Sequence, residues 1–243
     1  MLALLTPLTP ASYSFEVVNL PPTHFADAWF SGGALAGSRL FLAPIRSPGI
    51  GIFDVQSKQS SLYDISTSVR TQYRFSDAVV AGSECRVYFA PYNAQGVGVY
   101  SPDANGFRLI SIRSQIDVNE KFLSAAGVGE QVVFAPYAAN GVGVIDTRTN
   151  AFRLIDITEA YSPHAPQLAN GGRNLRYKFG GAVALDDNTV VFAVTHLPPA
   201  RGRRPSHIHC SPPHPHLDSH TTPTQSASST HRSTPCRLST SLP

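Results

Sequence analysis

Apolar residues between positions 121 and 157 alternate with small or polar residues at a period of two, and clusters of turn-forming residues interrupt this alternation. The pattern is typical of short β-strands rather than helices. It predicts four strands, at residues 122–127, 131–136, 141–146 and 151–157. The links are short, and Asn150 suits the left-handed backbone of a tight hairpin, so consecutive strands should pair antiparallel.

This unit recurs along the chain, and each copy opens with a phenylalanine. The anchors are 45, 47 and 57 residues apart, at Phe30, Phe75, Phe122 and Phe179. Periods of roughly 40 to 50 residues with four strands each indicate propeller blades, which bury their apolar faces by stacking on one another. We therefore predict an all-β propeller of four-stranded antiparallel blades. Three repeats are full and the fourth is incomplete, at residues 28–65, 73–112, 120–157 and 177–194.

Two of the copies carry a recognisable family pattern. VVFAPYAANGVGVIDTRTNAFRLIDI at 132–157 and VYFAPYNAQGVGVYSPDANGFRLISI at 87–112 resemble the YVTN-type β-propeller repeat, and more distantly the kelch and NHL repeats. The resemblance extends over residues 28–194. It implies a β-propeller, a fold that serves mostly as a binding scaffold, with some enzymes among its members.

The N-terminal region shows a shorter version of the same pattern. Residues 1–11 should be disordered, whereas residues 13–20, with SFEVVNL at their centre, resemble the last strand of a repeat. If this segment is the outer strand of the fourth sheet, it closes the ring and hides two sheet edges. Nothing in the sequence supplies the third strand of that sheet, so its open edge is expected to pair with another strand or chain.

The composition changes abruptly after Val194. Residues 195–243 hold seven of the nine histidines and nine of the twenty prolines, and they show little apolar alternation. Such a segment cannot bury enough surface to offset its conformational entropy, so we expect a disordered, low-complexity tail. The codon of Val194 must begin with GT, the dinucleotide that opens most introns. One hypothesis is therefore that residues 195–243 are translated from an unspliced intron, which would make the tail a gene-model artefact.

Charge excludes one class of partner. The tail carries five arginines and one aspartate, which leaves residues 1–194 with a net charge of −1 although the whole chain is +3. The basic balance is therefore no sign of a nucleic-acid surface on the folded part. The sequence shows neither a secretory signal nor a run of about 20 apolar residues, so we expect a soluble, cytoplasmic protein with no membrane partner.

The antiparallel order of the four strands in each repeat also predicts where a ligand could bind. The start of strand one and the end of strand two lie at the same end of an antiparallel sheet, here called the loop face. It should carry the cation that precedes three of the opening phenylalanines, Trp29 in the equivalent place before Phe30, the Tyr-Asn loops after strand two and the long loop 158–177. The candidate ligand-binding residues are Arg74, Lys121, Lys178, Tyr92, Asn93, Tyr137, Asn140 and Arg173.

Strand one of a blade lies nearest the central channel, so the three cations should surround its mouth. Converging like charges favour an anionic ligand. The alternative is that long basic side chains only cover the phenylalanines and extend to solvent.

Catalytic signals are weak. There is no GxSxG, P-loop or HExxH motif, the part before the tail holds only His24 and His164, and no ring of acidic residues is evident. We therefore predict no catalytic residues, no metal and no cofactor. Three functions stay open: a non-catalytic scaffold for a protein, peptide or anionic small ligand; a propeller enzyme acting on a sugar, lactone or ester; and a truncated piece of a larger propeller.

Overall fold

The computed structural model describes residues 2–9, 12–21, 29–161, 177–186 and 188–195. Three four-stranded antiparallel sheets follow one another in chain order, and a two-stranded sheet follows them. This confirms the predicted all-β class with three full repeats and an incomplete fourth. The sheet bounds lie within a few residues of the expected repeats. The tail from residue 196 onward, predicted to be disordered, lies outside the described residues.

The repeat sheets have the following strands. Sheet 1 comprises β3 (Phe30–Ala36), β4 (Arg39–Pro44), β5 (Gly49–Asp54) and β6 (Ser60–Asp64). Sheet 2 comprises β7 (Phe75–Ala81), β8 (Arg86–Pro91), β9 (Gly96–Ser101) and β10 (Gly106–Ser111). Sheet 3 comprises β11 (Phe122–Val128), β12 (Gln131–Pro136), β13 (Gly141–Asp146) and β14 (Phe152–Asp156), followed by the short helix α1 (Thr158–Tyr161). Sheet 4 comprises β15 (Phe179–Ala184) and β16 (Val190–Val194).

The N-terminal strands pair differently from the prediction. Strand β1 (Leu2–Thr9) lies in the segment expected to be disordered, and it pairs antiparallel with β2 (Ser12–Val18) in a sheet of its own. The segment expected to close sheet 4 is therefore bonded to its sequence neighbour. A two-residue link makes this pairing entropically cheap, whereas reaching sheet 4 would close a loop that spans most of the chain.

The repeated phenylalanines pack over the repeated glycines of strand three. A Cβ atom placed on Gly98 would lie 2.8 Å from the ring of Phe75, and one on Gly143 would lie 2.8 Å from the ring of Phe122. Only glycine leaves room for the ring at these positions. The opening Phe and the GVGV run are therefore two halves of one packing unit.

The core lies between consecutive sheets. One cluster joins sheets 1 and 2, with Phe41 and Tyr100 rings 5.5 Å apart, and a second joins sheets 2 and 3 around Phe122 and Phe134. Each sheet thus buries its apolar face against the next copy, as a stacked repeat must. The hairpin turns at the opposite end from the loop face form what we call the turn face. There Asn150 is left-handed, with φ of 60°.

Candidate functional site

Backbone hydrogen bonds within and between repeats build the loop face. The amide of Tyr92 donates to the carbonyl of Arg74 at 2.9 Å, and the amide of Tyr137 donates to the carbonyl of Lys121 at 2.8 Å. The amide of Lys178 donates in turn to the carbonyl of Tyr137, at 3.1 Å. The residue before each first strand is therefore held against a loop that follows a second strand. The predicted cations and the predicted loops do share one face.

Two of the three cations are buried, in contrast to the expected open ring of charges. Lys121 is 1% exposed and Lys178 is 4% exposed. The Nζ of Lys178 donates to the carbonyl of Ala139 at 2.8 Å, across the junction between sheets 3 and 4. Burial lowers the pKa of Lys178 to about 8 and also lowers the pKa of Lys121. These ammonium groups lie inside the junctions and do not present their charge to a ligand.

Arg74 reaches the same place in its own junction. Its Nη1 donates to the carbonyl of Ser47 at 2.9 Å, and its Nε donates to the carbonyl of Val69 at 2.9 Å. Ser47 and Ala139 are equivalent, because each lies three residues after the proline that ends strand two. Arg74 and Lys178 thus make the same bond between repeats. Arg74 is only partly buried, so part of its guanidinium remains accessible.

Aromatic side chains extend along the loop face. The rings of Tyr92 and Tyr137 are 6.1 Å apart, and those of Tyr137 and Tyr177 are 4.7 Å apart. Trp29 is 60% exposed, Tyr73 39% and Tyr177 43%. We call these five residues the aromatic strip. Tyr73 and Tyr177, each two positions before an opening phenylalanine, have left-handed φ of 52° and 70°.

The predicted asparagines have different surroundings. The Oδ1 of Asn93 accepts the amide of Glu120 at 2.9 Å, so this side chain braces the junction between sheets 2 and 3. Asn140 is exposed, and its carbonyl accepts the amide of Ile157 at 3.2 Å. Arg173 lies outside the described residues. Ligand binding by the predicted residues stays a prediction.

Arg46 is a loop-face residue that the sequence did not single out. Its guanidinium carbon lies 5.0 Å from the ring centroid of Trp29 and 5.2 Å from that of Tyr73, within the range of a cation–π interaction. It borders a hollow of about 470 Å³ lined by Trp29, Arg46, Gln72 and Arg74. The available signal was an arginine in the loop after strand two, where the later repeats have Asn93 and Ala138.

An acidic residue in the first strand of sheet 2 joins neighbouring repeats. The Oδ2 of Asp77 accepts the Oγ hydroxyl of Ser124 at 2.8 Å and the amide of Ala125 at 3.1 Å. The Oγ of Ser124 in turn accepts the amide of Ala182 at 3.2 Å. One chain of hydrogen bonds therefore links the first strands of sheets 2, 3 and 4. Within the described ranges, no group of three or more His, Cys, Asp or Glu residues could hold a metal ion.

Helices contribute little to the described ranges. Within them, no helix reaches the length and apolar character that a membrane span requires.

No family model and no curated protein sequence matches this chain. Among solved structures, it is similar to a catalytically inactive virginiamycin B lyase from Staphylococcus aureus, crystallised with quinupristin. That match has a TM-score of 0.53 and 14% identity, and it covers 76% of this chain and 54% of the lyase. Glutaminyl cyclase from Myxococcus xanthus is a weaker match, with a TM-score of 0.43, 11% identity and coverage of 77% and 73%. The chain thus spans about half the length of the lyase. The sheet topology and the likeness to the lyase together show a fold of β-propeller repeats.

Proposed function

We propose that this chain is a non-catalytic binding scaffold whose loop face holds a protein or peptide partner. The fold itself does not decide between catalysis and binding, because propellers do both. The observation that carries the proposal is the aromatic strip, with Trp29, Tyr73 and Tyr177 all exposed on one face.

The chemistry of the strip suits a polypeptide partner. Tyr, Trp and Arg are enriched at the energetic centres of protein interfaces. Tyr and Trp bury a large area at a modest cost in conformational entropy. Here Arg46 lies over two of the aromatic rings, and the ring of Tyr177 contacts that of Tyr137. Much of the strip is thus ordered before any partner arrives, which reduces the entropy lost on binding.

A selection from a displayed library of random peptides tests the proposal on the full chain. We expect a recurring peptide motif, and we expect the synthetic peptide to lose at least about tenfold in affinity towards Trp29→Ala and Tyr177→Ala, as interface anchors do. Arg148→Gln is the matched control, because Arg148 is exposed on the turn face. Peptides that bind all three variants equally would place the binding surface elsewhere and contradict the proposal.

Sheet 4 suggests a second kind of partner, and we infer that β16, which pairs only with β15 among the described residues, pairs with a further strand. Sheets 1 to 3 each have four strands, but sheet 4 has two among the described residues. Its apolar side chains are accordingly exposed: Val183 by 62%, Leu185 by 71%, Val191 by 48% and Val194 by 47%. Exposed apolar side chains beside an unpaired strand edge are typical of a surface that another strand covers.

A chimaera tests this second partner. Residues 137–157, which follow β12 in sheet 3, would replace the residues after Val194 and so supply the two missing strands. We expect the melting temperature to rise by several degrees, because each buried apolar side chain contributes roughly 1.5–3 kcal/mol. A scrambled segment of the same composition is the control. An equal melting temperature for the two chimaeras would contradict the inference.

A further inference from the structure

We infer that the hollow between Arg46 and Arg74 is a site for an oxyanion, and that it takes a carboxylate of the bound partner. This inference rests on the proposed function, since the carboxylate belongs to the protein or peptide on the aromatic strip. The hollow is lined by Trp29, Arg46, Gln72 and Arg74. Its four side chains offer two positive charges, an amide and one flat aromatic surface.

Neither guanidinium forms a close ion pair within the described residues, although Asp64 interacts with Arg74 electrostatically at longer range. The ion pairs within the described residues join Lys58 to Glu16, Arg86 to Glu84 and Arg113 to Asp117. Arg46 and Arg74 appear in none of them, although the backbone carbonyl of Arg46 lies only 3.5 Å from the Nη1 of Arg74. Two cations that share one more distant carboxylate leave a net positive charge at the hollow, which raises the local potential and attracts an anion.

Arg74 keeps donors available after its structural bonds are made. A guanidinium has five N–H donors. The Nε and Nη1 of Arg74 donate to the carbonyls of Val69 and Ser47, and its Nη2 has no hydrogen-bond partner in the described part of the chain. The structural bonds fix the plane of the guanidinium and leave one end of it free for a ligand. A carboxylate oxygen fits such an end well, since charge-assisted bonds to arginine are short and directional.

Arg46 is held in place by its aromatic neighbours. Its guanidinium lies between the rings of Trp29 and Tyr73, at 5.0 and 5.2 Å from their centroids. Its backbone amide also donates to the carbonyl of Trp29 at 3.1 Å. An arginine stacked on rings still directs its N–H groups outward from its edge. The side chain is therefore positioned for a ligand and loses little freedom when one binds.

The only tryptophan of the chain lies in this hollow, which makes the site directly observable. Benzoate is the probe, because it joins a carboxylate to a flat ring, and benzamide is its neutral match. On the full chain, we expect benzoate to change the fluorescence of Trp29 in a saturable way and benzamide to leave it unchanged. We expect Arg46→Gln, at an exposed position, to weaken benzoate binding about tenfold. Arg148→Gln should not weaken it.

Three outcomes would overturn the inference: no saturable response to benzoate, an equal response to benzamide, or unchanged benzoate affinity in Arg46→Gln. Circular dichroism of that variant confirms that it is folded. The selected peptides separate this inference from the proposed function. Replacing the peptide carboxylates by amides should reduce affinity for the wild-type chain and have little effect with Arg46→Gln. Peptides that bind the strip equally well as amides would refute the carboxylate site and leave the scaffold function intact.

Discussion

The second and fourth repeats begin with a cation at the same position, and the structure uses the two cations differently. Lys178 is 4% exposed, and its ammonium donates a hydrogen bond to the carbonyl of Ala139. Arg74 makes the equivalent bond to Ser47, but it is only partly buried and keeps its Nη2 available. Equivalent positions therefore provide a structural link in both repeats and a candidate binding group in only one.

The residues beside each cation strengthen this contrast. At the second repeat, the loop residue Arg46 lies between two aromatic rings and adds a second charge. At the fourth repeat, the equivalent loop residue is Ala138, and the ring of Tyr177 contacts that of Tyr137 in a tilted arrangement, with centroids 4.7 Å apart. The first junction carries two arginines beside exposed aromatic rings, whereas the last carries one buried lysine beside a pair of tyrosines. A repeat fold can thus vary its chemistry from one junction to the next while it conserves the backbone bonds between them.

The largest expected effect comes from removing the buried cation of the fourth repeat. Lys178→Ala leaves the carbonyl of Ala139 without its donor and leaves a cavity where the aliphatic stem packed. At pH 10, where the buried amine of the folded chain is neutral and most of the cost of burying its charge is absent, we expect the free energy of unfolding to fall by about 1–3 kcal/mol. Urea denaturation measures the loss. The contrast between the two repeats would be wrong if Lys178→Ala lost no stability but abolished benzoate binding.

The two cations should also differ in their response to pH. The pKa of Lys178 is about 8 in the folded chain, against 10.5 ordinarily. The unfolded chain therefore binds more protons between these values, and stability should rise with pH across that window, by up to about 3 kcal/mol. Below pH 8 the full cost of burying the charge is present. Arg74 stays protonated throughout and contributes no such slope.

Comparing wild type with Lys178→Met isolates this slope. Tyrosines also titrate at high pH, but their contribution to stability is the same in both proteins and cancels in the difference. Urea denaturation at a series of pH values from 7 to 10 measures it. Parallel curves for the two proteins would show that Lys178 carries no depressed pKa.

The converse experiment keeps the hydrogen bond from residue 74 to the carbonyl of Ser47 and removes the other N–H donors of the guanidinium. In Arg74→Lys, the ammonium can still reach the carbonyl of Ser47, as Lys178 reaches that of Ala139. We therefore expect stability within about 1 kcal/mol of wild type and about tenfold weaker benzoate binding, because the accessible Nη2 donors are lost. Denaturation and Trp29 fluorescence measure the two quantities on the same sample. A large loss of stability with intact binding would reverse the assignment.

The smallest expected effect is a gain of function at the fourth repeat. Ala138→Arg combined with Lys178→Arg copies Arg46 and Arg74 into the last junction, next to Tyr177. We expect a second, weaker benzoate site, because the flat surface of Trp29 has no counterpart there. Calorimetry should show the stoichiometry rise from one towards two. A stoichiometry that stays at one would show that the paired arginines are insufficient without the indole.

Much of the fold could be predicted from the sequence because its causes are local. The period-two alternation defines the strands, and the packing of Phe122 over Gly143 repeats in sheet 2 as Phe75 over Gly98. The pairing of residues 13–20 could not be predicted in this way. Their resemblance to an outer strand was real, but a neighbouring segment was available at lower entropic cost.

The site was less predictable, because it depends on where side chains turn at the junctions. A cation before an opening phenylalanine reads the same in sequence whether it is buried, as Lys121 is, or partly accessible, as Arg74 is. Arg46 was missed because it lies in the most divergent repeat, where it replaces an asparagine or alanine of the later copies. Only the packing of Trp29 and Tyr73 around it reveals its position.

An NMR titration of the isotopically labelled chain with benzoate tests the central contrast most directly, because it observes both junctions at once. We predict that the Nε–H signals of Arg46 and Arg74 and the indole N–H of Trp29 shift together and saturate. The backbone amides of Ala139 and Lys178 should stay in place. Shifts at Ala139 and Lys178 without shifts at the arginines would contradict the account.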